Sequence, residues 1–314
     1  TPVIETAPEQ EERVAIDVEG EAYQAILKRS LMNMGNYARV KKVIDRAKRG
    51  EEVTIAFIGG SITQGAGAAP INTMCYARRT FEAFTKKYCC SSNAEYIKAG
   101  VGGTPSELGM LRYRRDVLQD DSAKPDIVVI EFAVNDAGDE TGGECFDSLV
   151  RKILKSENAP AVIILFAVFA DDYNLEDRCI PIGEHYNLPM TSVKRAVTPQ
   201  FYLTPQEGRI ISKARFFYDS YHPTNLGHQV MSDCLMELME CAAGDGDEAT
   251  AAEYIIPADD CRSSDFAEVE LLDRTSWKSR HFDELETEVA RRAKQDQSGC
   301  SDFPVKWISY GDFT

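Results

Sequence analysis

The segment Tyr218-Asp219-Ser220-Tyr221-His222-Pro223-Thr224-Asn225 sets a carboxylate three residues before an imidazole. In so short a loop Asp219 can hold one ring nitrogen of His222, leaving the other to face outward as a general base. Such a base needs a nucleophile to deprotonate, and Gly59-Gly60-Ser61-Ile62-Thr63 offers a serine on a glycine turn after an apolar run. The turn is not a Gly-x-Ser-x-Gly elbow, because Thr63 stands at the last glycine position. Nor is it a phosphate loop, since no Gly-Lys-Ser/Thr follows.

Two further fragments suit a developing oxyanion. Gly100-Val101-Gly102-Gly103-Thr104-Pro105-Ser106-Glu107 reads as a glycine turn opening a helix, with Thr104 and Glu107 as a capping box and Pro105 in the first helical position. A glycine N–H at that point faces the favourable end of the helix dipole. Glu131-Phe132-Ala133-Val134-Asn135-Asp136-Ala137 ends the most apolar strand, where the Asn135 amide can donate to an oxyanion. Each fragment alone also has an ordinary reading: a turn needing positive φ, a strand-end turn, a capping histidine. Together they point to acyl transfer. Of the other three histidines, His185 lies in a polar stretch, His228 falls mid-helix and His281 in a charged tail, none with an acid so placed.

These groups must be held by alternating strands and helices. Apolar strand-like runs cover Val53–Ile58, Glu95–Lys98, Asp126–Val134, Ala161–Phe169 and Pro189–Val193. Helical patterns cover Tyr76–Tyr88, Pro105–Leu118, Phe146–Lys155 and Thr224–Cys241, with Thr224 as a cap for the last. Residues 21–49 carry helical periodicity up to Gly50, a C-cap. The alternation predicts an α/β fold with a parallel sheet covered on both faces. Along the chain it gives an N-terminal arm at 1–20, a catalytic domain at 21–241, an acidic linker at 242–254 and an extension at 255–314. In the extension Phe266–Leu272 alternates as a strand would, and Asp283–Lys294 reads as a charged helix or solvated loop.

Composition limits the partners. A net charge of −16 on 314 residues repels nucleic acid and anionic membrane over a screening length of about 10 Å. No apolar run reaches the roughly 20 residues of a membrane-spanning helix. Nine cysteines, without a Cys-x-x-Cys pair, predict reduced thiols and no zinc site. The first residues lack a secretory signal, so the expectation is a cytoplasmic protein. No metal or other cofactor is called for.

In this order the four fragments resemble the blocks of the SGNH (GDSL) hydrolase superfamily over roughly residues 50–240. There the serine block often reads Gly-Asp-Ser, and Gly60 stands in place of the aspartate. The resemblance implies a flavodoxin-like three-layer α/β/α sandwich with a central parallel sheet of about five strands. It implies Ser61 as nucleophile, His222 as base and Asp219 as its orienter. It also implies an oxyanion hole from the Ser61 N–H, the Gly103 N–H and the Asn135 side chain, with Gly102 as the alternative to Gly103. The flanks Gly-Gly-Ser-Ile-Thr-Gln-Gly, Ala-Gly-Val-Gly-Gly-Thr, Glu-Phe-Ala-Val-Asn-Asp and Tyr-His-Pro-Thr-Asn-Leu-Gly-His are similar to bacterial carbohydrate esterases that remove O-acetyl groups from mannan or xylan. Some of those add a carbohydrate-binding β-jelly roll, which Phe266–Leu272 could open, although too few residues follow to complete one.

The expected partner is therefore an acetylated oligo- or polysaccharide. The segment 21–241 has no tryptophan, so a sugar platform would come from tyrosine, phenylalanine, or Trp277 and Trp307 in the extension. Two rivals stand beside this reading: a lipid or thioester hydrolase of the same superfamily, and a sugar-binding protein without catalysis.

Overall fold

The computed structural model describes residues 15–90, 93–244, 253–263, 265–269 and 271. At its centre is a six-stranded sheet in the order β1-β6-β5-β4-β2-β3. The strands are β1 (Leu31–Asn33), β2 (Val53–Gly59), β3 (Ala94–Gly100), β4 (Ile127–Glu131), β5 (Ala161–Phe166) and β6 (Met190–Ser192). Strands β2 to β6 run parallel, as the alternation predicts, and β1 adds an antiparallel edge against β6. All residues of β2, β4 and β5 are buried, because both faces of the sheet are covered.

Side chains alternate between two cores. Ile55, Phe57, Ile127, Val129, Ile163 and Leu165 face one side, while Ala56, Ile58, Val128, Ile130, Val162 and Ile164 face the other. Each such valine, leucine, isoleucine or phenylalanine side chain contributes about 1.5–3 kcal/mol by leaving water. Helices α1 (Glu21–Ser30), α2 (Ala38–Lys48), α5 (Tyr76–Tyr88), α9 (Val193–Phe201), α10 (Lys213–Phe216) and α11 (Asn225–Gly244) pack on the first face. Helices α6 (Ser106–Asp116), α7 (Glu144–Leu154) and α8 (Glu176–His185) pack on the second. Two single-turn helices, α3 (Ser61–Gln64) and α4 (Ile71–Met74), lie between β2 and α5. The result is the three-layer α/β/α sandwich expected.

The chain leaves β2 to form β3 on one side, then crosses back to form β4 on the other. The sheet order therefore reverses at the carboxyl end of β2, where open α/β sheets hold their ligands. Ser61 stands there.

Several local expectations need correction. The helical run 21–49 is broken after Ser30 into α1, β1 and α2. The backbone turns extended at Leu31, and further along the break Gly35, at φ +51°, passes so close to Asn187 that a Cβ would lie 2.4 Å from the Asn187 carbonyl oxygen. Helices α8 and α9 contain Pro181 and Pro199, which disguise them. Thr104 and Glu107 form no capping box: α6 begins at Ser106, and the Thr104 hydroxyl donates instead to the Val101 carbonyl at 2.8 Å. Asp136 takes the capping role, its Oδ1 accepting the Ser106 N–H at 2.7 Å. Phe266–Val269 form a turn rather than a strand, with Phe266 packed against the second core.

The described residues up to 269 belong to one compact unit. Ala242–Gly244 complete α11, and Tyr254 donates its hydroxyl to the Tyr186 carbonyl at 2.7 Å beneath the Arg39 guanidinium. Arg151 on α7 then binds the carbonyl oxygens of Pro257, Ala258 and Asp259 at 3.2, 2.8 and 3.2 Å, and the Asp260 carboxylate at 2.9 Å. Asp147 accepts the N–H groups of Arg262 and Ser263 at 2.5 and 3.2 Å. Trp277, Trp307 and the Asp283–Lys294 segment lie outside the described residues.

Candidate active site

Three strand ends, those of β2, β3 and β4, and one loop bring the groups together. Ser61 is the first residue of α3, directly after β2 and Gly60. Its Oγ lies 3.0 Å from His222 Nε2. His222 Nδ1 lies 2.8 Å from Asp219 Oδ2 and 3.1 Å from Oδ1. Nδ1 therefore donates to the carboxylate, which leaves Nε2 free to accept the serine proton. Asp219 Oδ1 also accepts the N–H groups of Tyr221 and His222 at 2.7 and 2.8 Å, which fixes the acid within its own turn. Burial alone would raise the Asp219 pKa, but the hydrogen bonds from the imidazole and the two backbone N–H groups outweigh it. The net effect is a lowered pKa and a carboxylate that stays charged.

The loop is anchored on both sides. The Tyr218 N–H donates to the His222 carbonyl at 2.8 Å, closing the turn. The Gly227 N–H donates to Thr224 Oγ1 at 3.2 Å, so Thr224 does cap α11. Asn225 exchanges two 2.8 Å hydrogen bonds with the backbone of Ala69, tying the serine loop to the histidine loop.

His228 has a different task. It is buried, accepts the Tyr76 N–H at Nδ1 (3.2 Å) and donates from Nε2 to the Ala66 carbonyl (3.0 Å). Burial pushes its pKa down to about 4, so the ring is neutral and structural.

Asn135 and the glycine turn flank the serine. The Asn135 amide lies against Gly60, so that a Cβ at residue 60 would sit 2.1 Å from Asn135 Oδ1. That oxygen is buried without a hydrogen-bond partner. A side chain at position 60 would therefore dislodge the amide, which gives a steric reason for glycine where the family often has aspartate. A Cβ at Gly102 would lie 3.7 Å from Ser61 Cβ and 2.8 Å from Gln64 Oε1, whereas Gly103, at φ +70°, borders open space.

Sequence reasoning missed the buried polar groups beneath the site. Thr63 Oγ1 lies 2.8 Å from the Tyr76 hydroxyl and donates to Glu131 Oε2 at 3.1 Å. Glu131 is fully buried, and desolvation pushes its carboxyl up to about 8. Burial likewise pushes Asp136 up to about 7, against the opposing pull of the Ser106 N–H. Arg112, also buried, holds the ends of β2 and β3 through the Gly59 and Ala99 carbonyls at 2.9 and 2.7 Å. The signal for Glu131 was available: a carboxylate closing a wholly apolar strand. Among the described residues no group of three or more histidines, cysteines or carboxylates is placed to hold a metal ion, and no helix is long and apolar enough to cross a membrane. The eight described cysteines are free thiols.

Residues 57–230, more than half of the chain, match the model of the GDSL-like lipase/acylhydrolase family. The chain belongs to that family. Among solved structures it is similar to a two-domain esterase (CEX) active on acetylated mannans, at 34% identity and a TM-score of 0.64, over 74% of this chain and 59% of that one. The same esterase co-crystallised with mannopentaose gives 34% identity and a TM-score of 0.63, over 74% and 60% of the two chains. The present chain thus spans less than two thirds of those relatives. A lipase/acylhydrolase from Enterococcus faecalis matches at 21% identity and a TM-score of 0.46, over 60% of this chain and 95% of that one. No curated protein matches.

Proposed function

We propose that this member of the GDSL-like family is a serine carboxylic ester hydrolase that removes O-acetyl groups from oligo- or polysaccharide of the mannan or xylan type. The continuous Ser61–His222–Asp219 hydrogen-bond chain, with links of 3.0 and 2.8 Å, is the observation that supports catalysis. The likeness to an esterase active on acetylated mannans at 34% identity supports the choice of substrate.

In this mechanism Ser61 Oγ attacks the acetyl carbonyl carbon while His222 Nε2 takes its proton. The charged Asp219 stabilises the resulting imidazolium. The carbonyl oxygen becomes an oxyanion bound by the N–H groups of Ser61 and Gly103 and by the Asn135 side chain; donors of this kind contribute about 3–4 kcal/mol each. His222 then gives the proton to the departing sugar oxygen, leaving an acetylated Ser61. Water, deprotonated by His222, attacks that ester; His222 then returns the proton to Ser61 Oγ as acetate leaves. Every proton in the cycle passes through one imidazole nitrogen.

The test is acetate released from acetylated mannan, xylan and pectin by the protein and by Ser61→Ala. The expected outcome is release from mannan or xylan and at least a ~10³-fold loss in the variant. Release from none of them overturns the carbohydrate reading, and equal release by both proteins overturns the catalytic one.

A further inference from the structure

The general base also protonates the leaving group, so the sugar oxygen must come within hydrogen-bond reach of His222 Nε2. The sugar ring bearing that oxygen therefore lies on the histidine side of Ser61, and the surface there is aromatic. Tyr221 adjoins His222 in the chain, with the two ring centroids 6.2 Å apart. Phe169 meets Tyr221 edge-on at 5.0 Å and stacks on Tyr173 at 6.0 Å with planes 27° apart. Three rings thus form a continuous wall beside the base.

The wall is held rigidly. Phe169 to Tyr173 form a closed turn, in which the Phe169 N–H donates to the Tyr173 carbonyl at 3.0 Å and the Asp172 N–H to the Phe169 carbonyl at 2.9 Å. The Ala170 N–H donates to the Ser220 carbonyl at 3.0 Å, fastening this turn to the histidine loop. Lys213 donates to the Ala170 carbonyl at 2.7 Å and pairs with Asp172 at 3.2 Å. The Tyr202 hydroxyl binds Asp172 from the end of α9. Among the described residues every exposed large aromatic side chain belongs to this region: Tyr202, Tyr218 and Tyr221 are 67%, 72% and 55% exposed. Tyrosines present an apolar face and a polar edge together. This matches a pyranose, which has C–H faces and a hydroxyl rim.

We infer that Tyr221, backed by Phe169 and Tyr173, is the sugar-binding subsite for the glycosyl units on the leaving-group side of the acetyl ester. This rests on the carbohydrate-esterase reading above and extends it by naming where the chain of sugars lies. The wall is neutral, in a protein of net charge −16, and the ligand it takes is neutral too. A preformed aromatic surface of this kind adds affinity without ordering cost.

The experiment compares Tyr221→Ala, Tyr173→Ala and Tyr221→Phe with the wild-type protein. It measures kcat/KM on acetylated manno-oligosaccharides and on 4-nitrophenyl acetate, and titrates Ser61→Ala, with and without Tyr221→Ala, against mannopentaose by calorimetry. The expected result is a five- to twentyfold fall in the oligosaccharide-to-nitrophenyl ratio for both alanine variants, mainly through KM. Tyr221→Phe should restore the ratio, and mannopentaose binding should weaken by a similar factor when Tyr221 is truncated. Wild-type deacetylation of mannan with a ratio and an affinity indifferent to Tyr221 overturns this subsite alone. A selective loss on nitrophenyl esters of longer acyl chains also overturns it, since the wall would then face the acyl side. No acetate release from any polysaccharide by the wild type removes the esterase reading and the subsite with it.

Discussion

Gly60 offers a perturbation whose size can be worked from distances. A Cβ added there would lie 2.1 Å from Asn135 Oδ1 and 2.7 Å from Asn135 Cγ. Ordinary contact requires the amide to move by roughly 1 Å, and a misplacement of about 1 Å in a catalytic group can cost on the order of 10²-fold in rate. The backbone of Gly60, at φ −86°, lies outside the left-handed region, so the substitution acts through this contact. The amide is the end of a rotatable side chain, so the fold should survive. For Gly60→Ala we expect kcat to fall about 10²-fold with a melting temperature within a few degrees of wild type. Asn135→Ala should lose about 10²–10³-fold, the usual cost of one oxyanion donor. The decisive measurement is the double variant. Once Asn135 is an alanine the new methyl has no amide to displace, so Gly60→Ala/Asn135→Ala should be no slower than Asn135→Ala alone. Steady-state kinetics on 4-nitrophenyl acetate, with folding followed by circular dichroism, decides it. A fully active Gly60→Ala, or a double variant whose loss is the product of the single losses, refutes the reasoning.

Two further expectations concern the buried polar groups. Glu131 has a folded pKa of about 8 against 4.5 for the free group, so between those values the native state holds a proton that the unfolded chain has lost. Stability must then fall as pH rises through this window, by up to several kcal/mol; Glu131→Gln cannot ionise and should flatten the decline in melting temperature between pH 5 and 9, whereas parallel profiles would refute the assignment. Arg112→Met strands the Gly59 and Ala99 carbonyls and the Asp116 carboxylate, which Arg112 meets at 3.0 Å. It should cost roughly 3–5 kcal/mol in a urea titration, and a cost under about 1 kcal/mol would show that these strand ends need no such clamp.

Legibility in the sequence followed the range of the interactions. Asp219 and His222 were readable as a pair because three residues separate them, and Ser61 because its apolar strand announces a sheet edge. Strands β2, β4 and β5 were readable for the same reason: each lies in a near-continuous apolar run, whereas β3 holds Glu95 and Lys98 and β6 is only three residues long. The three residues of β1 were not, since they pair with β6 some 160 positions away and carry no pattern of their own. The Thr63–Glu131 and Ser106–Asp136 bonds join residues 68 and 30 positions apart. Nothing local in Asn135-Asp136 says that its acid caps a helix rather than its own turn. Helices α8 and α9 were not among the predicted elements; proline removes a helical donor, yet both helices pack firmly enough through Cys179, Ile182, Ala196 and Val197 to tolerate Pro181 and Pro199.

The grip of Arg151 on three successive carbonyl oxygens is recognition of main chain, indifferent to the side chains it passes. Residues 257–259 can therefore drift in identity while the strap keeps its course, provided Arg151 and Asp147 persist on α7. Two such chains could look unrelated across this stretch and still superimpose there. The record of that attachment would be written in a helix more than a hundred residues upstream.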